Sequence, residues 1–155
     1  MNWYEDDIKA IAEALEVEDT DTLGEILENY EHGEPLTIDL EHGEWILCNE
    51  ETAQRLAEEY VEETLWAFRP SWLAGVTGLD ESIFTLLAET GKCEDLNPVV
   101  TALIKGTGVD GDQRLAHVIW EAVNYDGRGH FLSSYDGEEI ELEAEIGTLY
   151  VYRTN

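Results

Sequence analysis

The chain has 155 residues, and its 36 Asp and Glu against 8 Lys and Arg give a formal net charge of −28. A domain of this size stays in solution with a net charge of about 2 to 8 in magnitude, and charge far beyond that works against the compact state by self-repulsion. A hydrophobic content of 43% with 5 Trp and 7 Tyr excludes a disordered acidic tail, which would be poor in aromatics, and the acidic surface excludes direct binding to nucleic acid or to anionic membranes.

In chain order, Trp3, Tyr4, Ile8, Ile11, Ala12 and Leu15 recur at helical spacing and predict an amphipathic helix over 2–15. Asp19 or Thr20 is placed to cap a short helix over roughly 21–31, which Gly33 and Pro35 stop. Leu36, Ile38 and Leu40 then alternate with Thr37 and Asp39. A glycine turn leads into Trp45-Ile46-Leu47-Cys48, so 36–48 reads as a β-hairpin.

Asn49 is a good N-cap for the clearest helix, about 50–68, with an apolar stripe of Ala53, Leu56, Ala57, Tyr60, Val61, Leu65 and Phe68. Pro70 ends it. Shorter pieces follow: a helical turn in 71–78, a helix near 81–90 capped by Asp80, another at 95–105 with Pro98 in its first turn, and one from Asp112 to about Asn124. From His130 the chain reads as β, with Ile140 and Leu142 alternating with glutamates and a closing strand through Val151. The expected architecture is a single helix-rich α+β domain over 1–155, with a small antiparallel sheet from the hairpin near 36–48 and the C-terminal strands near 130–153.

The charge is unevenly spread. Residues 1–68 hold 21 acids against Lys9 and Arg55, a net −19, whereas residues 69–135 carry only −4 and residues 136–155 carry −5. Such asymmetry points to an interaction surface more than to a solubility device. Two glutamate rows stand out. On the helix, Glu51, Glu58, Glu59, Glu62 and Glu63 lie away from the apolar stripe, and Glu58/Glu62 and Glu59/Glu63 are i, i+4 neighbours about 5–6 Å apart at Cβ. Near the C-terminus, Glu139, Glu141, Glu143 and Glu145 fall on one side of a strand at about 6.6–7 Å intervals. Phosphates along one strand of DNA are spaced by roughly 6–7 Å, consistent with the charge density of the duplex. Either row therefore offers carboxylates at a phosphate-like interval. The competing explanations are a solvated helix face, since Glu is a strong helix former, and an edge strand guarded by charge.

Catalytic and cofactor chemistry find little support. No G-x-S-x-G elbow, no phosphate-binding G-x-x-x-x-G-K-[ST], no dinucleotide-type G-x-G-x-x-G and no recognisable cysteine nucleophile are expected. Asp110, Asp112 and Glu121 match three positions of a calcium loop, but Arg114 and Leu115 occupy positions that need an oxygen ligand and a glycine. His32, His42, His117 and His130 lack zinc spacing. No metal, no cofactor and no enzymatic activity are expected. Cys48 and Cys93 read as two reduced structural thiols. The N-terminus has no basic, apolar signal segment, and no apolar run approaches the 18 or so residues of a membrane span. The expected location is the cytoplasm.

The segments AEEYVEETLWAF (57–68), DGRGHFLSSYDGEE (126–139) and YRTN (152–155) resemble those of small conserved proteins of tailed phages and mobile elements. In size, charge and charge placement the chain is similar to phage-encoded DNA mimics, the anti-restriction and anti-CRISPR proteins. That similarity implies an inhibitor, in the cytoplasm of the host cell, that occupies the basic nucleic-acid groove of a host nuclease or of a CRISPR or restriction complex. It transfers no residue role, because no motif is shared. A homodimer would lengthen the acidic surface. Two alternatives stay open: a protein that binds or sequesters a small ligand, which would draw on Arg69, Arg114 or Arg128, and a halophilic protein of unrelated function, against which 25 Glu to 11 Asp argues. Trp72 and Tyr152 are candidate exposed aromatics for a contact hot spot.

Overall fold

The computed structural model describes residues 3–91 and 93–155. Among them are eight α-helices and four strands, the helix-rich α+β architecture that the sequence predicts. The chain divides into two compact units. One comprises residues up to Leu56 together with Arg128–Asn155, and the other Ala57–Gly127. The first carries 23 acids against 4 bases and the second 13 against 4.

The first unit is a sheet with two helices on one face. Strands β1 (Leu36–Leu40), β2 (Gly43–Asn49), β3 (Ile140–Ala144) and β4 (Gly147–Arg153) form one antiparallel sheet in the order β1-β2-β4-β3. The two hairpins join through β2 and β4, with Leu47 opposite Val151 and Cys48 opposite Tyr150. Because side chains alternate across a strand, Ile38, Trp45, Leu47, Leu149 and Val151 share one face, where they meet Ile11, Leu15, Leu23 and Leu27. Those four residues come from helices α1 (Glu5–Leu15) and α2 (Thr20–Leu27). Asn2, within the predicted first helix, lies outside the described residues. Asp19 caps α2, its Oδ1 accepting from the Thr22 amide at 3.0 Å. The buried carboxylate of Asp7 accepts the Glu145 amide at 3.1 and 3.2 Å and so ties α1 to the β3–β4 turn.

The opposite face is smaller and carries Cys48, Tyr150 and Tyr152, packed with Ala53 and Leu132. Ala53 belongs to α3 (Glu50–Glu63), which Asn49 caps through the Thr52 amide at 2.8 Å. Leu132 belongs to α8 (Arg128–Leu132). Residues from His130 open not the expected strand but a helical turn that ends at Leu132, and strand structure begins only at Ile140. The turn is locked by close backbone approach. A Cβ on Gly129 would stand 2.6 Å from the Gly137 carbonyl oxygen and 2.9 Å from the Glu139 amide nitrogen. Tyr152 is likewise fully buried rather than exposed, and Trp72 is half-buried against Phe68.

The second unit is helical. It takes the C-terminal part of α3, then α4 (Pro70–Thr77), α5 (Glu81–Glu89), α6 (Asn97–Lys105) and α7 (Gly111–Asp126). Asp80 caps α5 through the Ser82 amide at 2.9 Å, as its spacing predicts. Helix α3 stops five residues earlier than expected and tightens into a 3-10 turn over Leu65–Ala67. Asn97 holds that end. Its Nδ2 donates to the Glu62 carbonyl at 2.9 Å, and its Oδ1 accepts the Trp66 amide at 3.2 Å. Leu73, Phe84, Val100, Ile104, Leu115 and Val118 are buried, whereas Tyr60, placed on the apolar stripe by periodicity, is exposed.

Candidate functional site

Within the second unit, α3 presents Glu59, Glu62 and Glu63 to solvent, with Glu58 half-buried beside them. They lie on the last turns of the helix, whose end is held by the Asn97 side chain on the Glu62 carbonyl. Among the described residues no Lys or Arg pairs with Glu59, Glu62 or Glu63. The i, i+4 pairing of 59 with 63 places like charges about 5–6 Å apart, at a cost of a few tenths of a kcal/mol. Glu51 lies at the start of the same helix, within the first unit, and is also exposed.

In the first unit the second glutamate row is divided by its surroundings. Glu141 and Glu143 are the two that lie on β3, exposed, opposite Tyr150 and Thr148 on an edge strand of the sheet. Glu143 accepts from the Thr148 hydroxyl at 3.1 Å. Glu145 sits in the β3–β4 turn, where its amide is held by Asp7. Glu139 precedes the strand and is already engaged. Its Oε1 accepts Arg128 Nε at 2.9 Å and also the Tyr152 hydroxyl.

That engagement centres on Arg128, whose side chain is 14% exposed. Besides Glu139 it reaches Glu50 at 3.8 Å, and its guanidinium lies 4.6 Å over the Tyr150 ring. Burial works against the Arg128 charge, but the bond to Glu139 and the anionic surroundings outweigh it and hold the pKa above the ordinary value. Burial, reinforced by the bond to Glu139, pushes the Tyr152 phenol far up. Burial likewise raises the neighbouring Cys48 thiol to about 11, which leaves it protonated and unreactive at neutral pH. The sequence lists Arg128 as a possible ligand cation. The fold uses it to cross-link the start of α3, α8 and the strand pair β3–β4.

Arg114 behaves differently. In the second unit it borders a cleft of 610 Å³ between α4, α6 and α7, which Arg69 does not line. The segment leading into α7 is Gly106-Thr107-Gly108-Val109-Asp110-Gly111, with Gly111 the first residue of the helix. That is the glycine spacing of a dinucleotide fingerprint, so the expectation that the chain lacks one is corrected. The segment follows a helix rather than a strand, so the βαβ context that gives the spacing its meaning is missing. No helix among the described residues is long and apolar enough to cross a membrane. No protein-family model, no curated protein and no solved structure matches the chain.

Proposed function

We propose that the chain is a binding protein without catalytic activity, which inhibits a host defence enzyme by occupying its basic nucleic-acid groove. In this reading it is an anti-restriction or anti-CRISPR type of inhibitor, of phage or mobile-element origin, acting in the host cytoplasm. The observation that carries the proposal is the net charge of −28, with exposed glutamates set on a helix and on an edge strand. Glu59, Glu62 and Glu63 on α3, with Glu58 beside them, and Glu141 and Glu143 on β3 are the residues proposed to stand for phosphates; Glu51 and Glu145 extend the two rows. Glu139 contributes to the fold first, because Arg128 already neutralises it.

A groove that grips nucleic acid with Lys and Arg would meet these carboxylates at a familiar interval, and forming the complex would release anions from the groove and cations from the glutamates. Binding should therefore weaken steeply with salt. The test is retention of a host nucleic-acid-binding enzyme on the immobilised chain at low salt, with displacement by duplex DNA. A variant with Glu59, Glu62, Glu63, Glu141 and Glu143 all changed to Gln should lose the partner while keeping its circular dichroism. Inhibition by that variant equal to the parent's would refute the proposal.

A further inference from the structure

We infer that the second unit carries a binding site for a small organic acid, a molecule with one carboxylate head and an apolar body. The inference rests on the cleft between α4, α6 and α7 and is independent of charge mimicry. Its volume of 610 Å³ lies inside the range of small-molecule sites, about 300–1,000 Å³. The composition of its wall also fits that class. Val76 and Leu79 on the α4 side, Leu103 and Ile104 on α6, and Val118 on α7 supply an apolar floor. The polar lining comprises Thr77, Thr107, Asp110 and Gln113 together with Arg114 and His117, which stand about one helical turn apart on α7.

Arg114 is exposed and anchored at one point. Its Nη2 donates to the Lys105 carbonyl at the end of α6. The guanidinium lies so close to Gly106 that a Cβ there would come within 3.3 Å of it, and Gly106 takes φ +65, where a side chain would add strain. One of its five N–H donors is used in that bond, and the planar fork keeps others for a carboxylate. His117 is held more loosely, its Nε2 3.8 Å from Glu121. Asp110 lines the same cleft. Its carboxylate opposes a polyanion more strongly than a single charge, as does the field of the whole chain. A polyphosphate is therefore disfavoured, and a monoanionic head that reaches Arg114 and His117 is preferred.

The probe is 1-naphthoate, titrated into the full chain by calorimetry and followed by amide chemical shifts, with ATP as the polyanionic comparison. The expected result is saturable one-to-one binding, with shifts clustered at Leu103, Arg114 and Val118 and weaker binding of ATP. Arg114→Gln should weaken binding roughly tenfold, the effect of losing a charge-assisted hydrogen bond. Because Arg114 also secures the Lys105 carbonyl, Leu103→Trp provides the second variant. It fills the cleft from the half-buried wall and should abolish binding with native circular dichroism. Absence of saturable naphthoate binding overturns the inference, as does binding that neither variant changes. Tighter binding of ATP than of naphthoate overturns the carboxylate assignment.

Discussion

Replacing Arg128 by Met should be among the most damaging single changes in the first unit. The substitution keeps the aliphatic stem but removes the charge that holds Glu139 at 2.9 Å and stacks over Tyr150 at 4.6 Å. Breaking a fully buried ion pair by deleting one partner costs about 3–5 kcal/mol. Here Arg128 is 14% and Glu139 31% exposed in their side chains, so water relieves part of that cost. The stranded Glu139 also keeps the Tyr152 hydroxyl. Loss of the ring contact adds about 0.5–1 kcal/mol, while Glu50, 71% exposed, adds little. The expected loss is about 2–3 kcal/mol, which for a chain of this length lowers the melting temperature by roughly 5–10 °C. Urea denaturation of R128M, E139Q and the double variant reads the pair directly. The cycle should give a coupling of about 1–2 kcal/mol, and neither E141Q nor E143Q should be destabilising. A loss in R128M below about 0.5 kcal/mol, or a coupling near zero, would refute the view that this pair cross-links the fold.

Gly129→Ala should be as costly, about 3 kcal/mol, because its Cβ would meet backbone rather than a side chain that can yield; thermal denaturation checks this. E59Q/E62Q/E63Q should melt higher than the parent in low salt, since it removes like-charge repulsion, and the difference should vanish in molar salt. Asp80 is held below its ordinary 3.8 by the Ser82 amide and hydroxyl, and Asp19 by the Thr22 hydroxyl and amide. A carboxylate with a lowered folded pKa stabilises above its unfolded value and loses that contribution as pH falls through the folded one. The difference in melting temperature between the parent and D80A should therefore be present at neutral pH and shrink below about pH 4. In native buffer a thiol reagent should modify Cys93 alone, with Cys48 reacting only after denaturation, since the first is exposed and the second is buried; two fast thiols would contradict the placement of Cys48.

Local patterns in the chain carry most of the fold. Caps are legible because capping needs only a short polar side chain two or three residues before an amide: Asn49 and Asp80 cap as expected, and of Asp19 and Thr20 it is Asp19 that does. The hairpin over 36–48 follows from period-two alternation around a glycine turn. What escapes is long-range. Nothing near Arg128 in sequence shows that Glu139 and Glu50 will close around it, so it reads as a spare cation and Glu139 as a surface acid. The close packing of Gly129 against residues 137–139 is invisible before those residues are placed, so the chain from His130 reads as strand. Tyr152 and Tyr60 exchange roles for a similar reason. Both fit an amphipathic pattern, and only the packed neighbours decide that the first is buried and the second exposed. The glutamates of α3 are legible as a row from spacing alone, whereas the cleft beside Arg114 needs three helices to be seen.

Mimicry of nucleic acid is tested most directly by competition. With the chain immobilised and host extract applied at low salt, a retained nuclease or other nucleic-acid-binding enzyme should be released by duplex DNA and by moderate salt, and should not be retained by the five-glutamine variant. Retention of nothing specific by the folded chain, or retention indifferent to DNA and to the loss of those glutamates, would contradict the account.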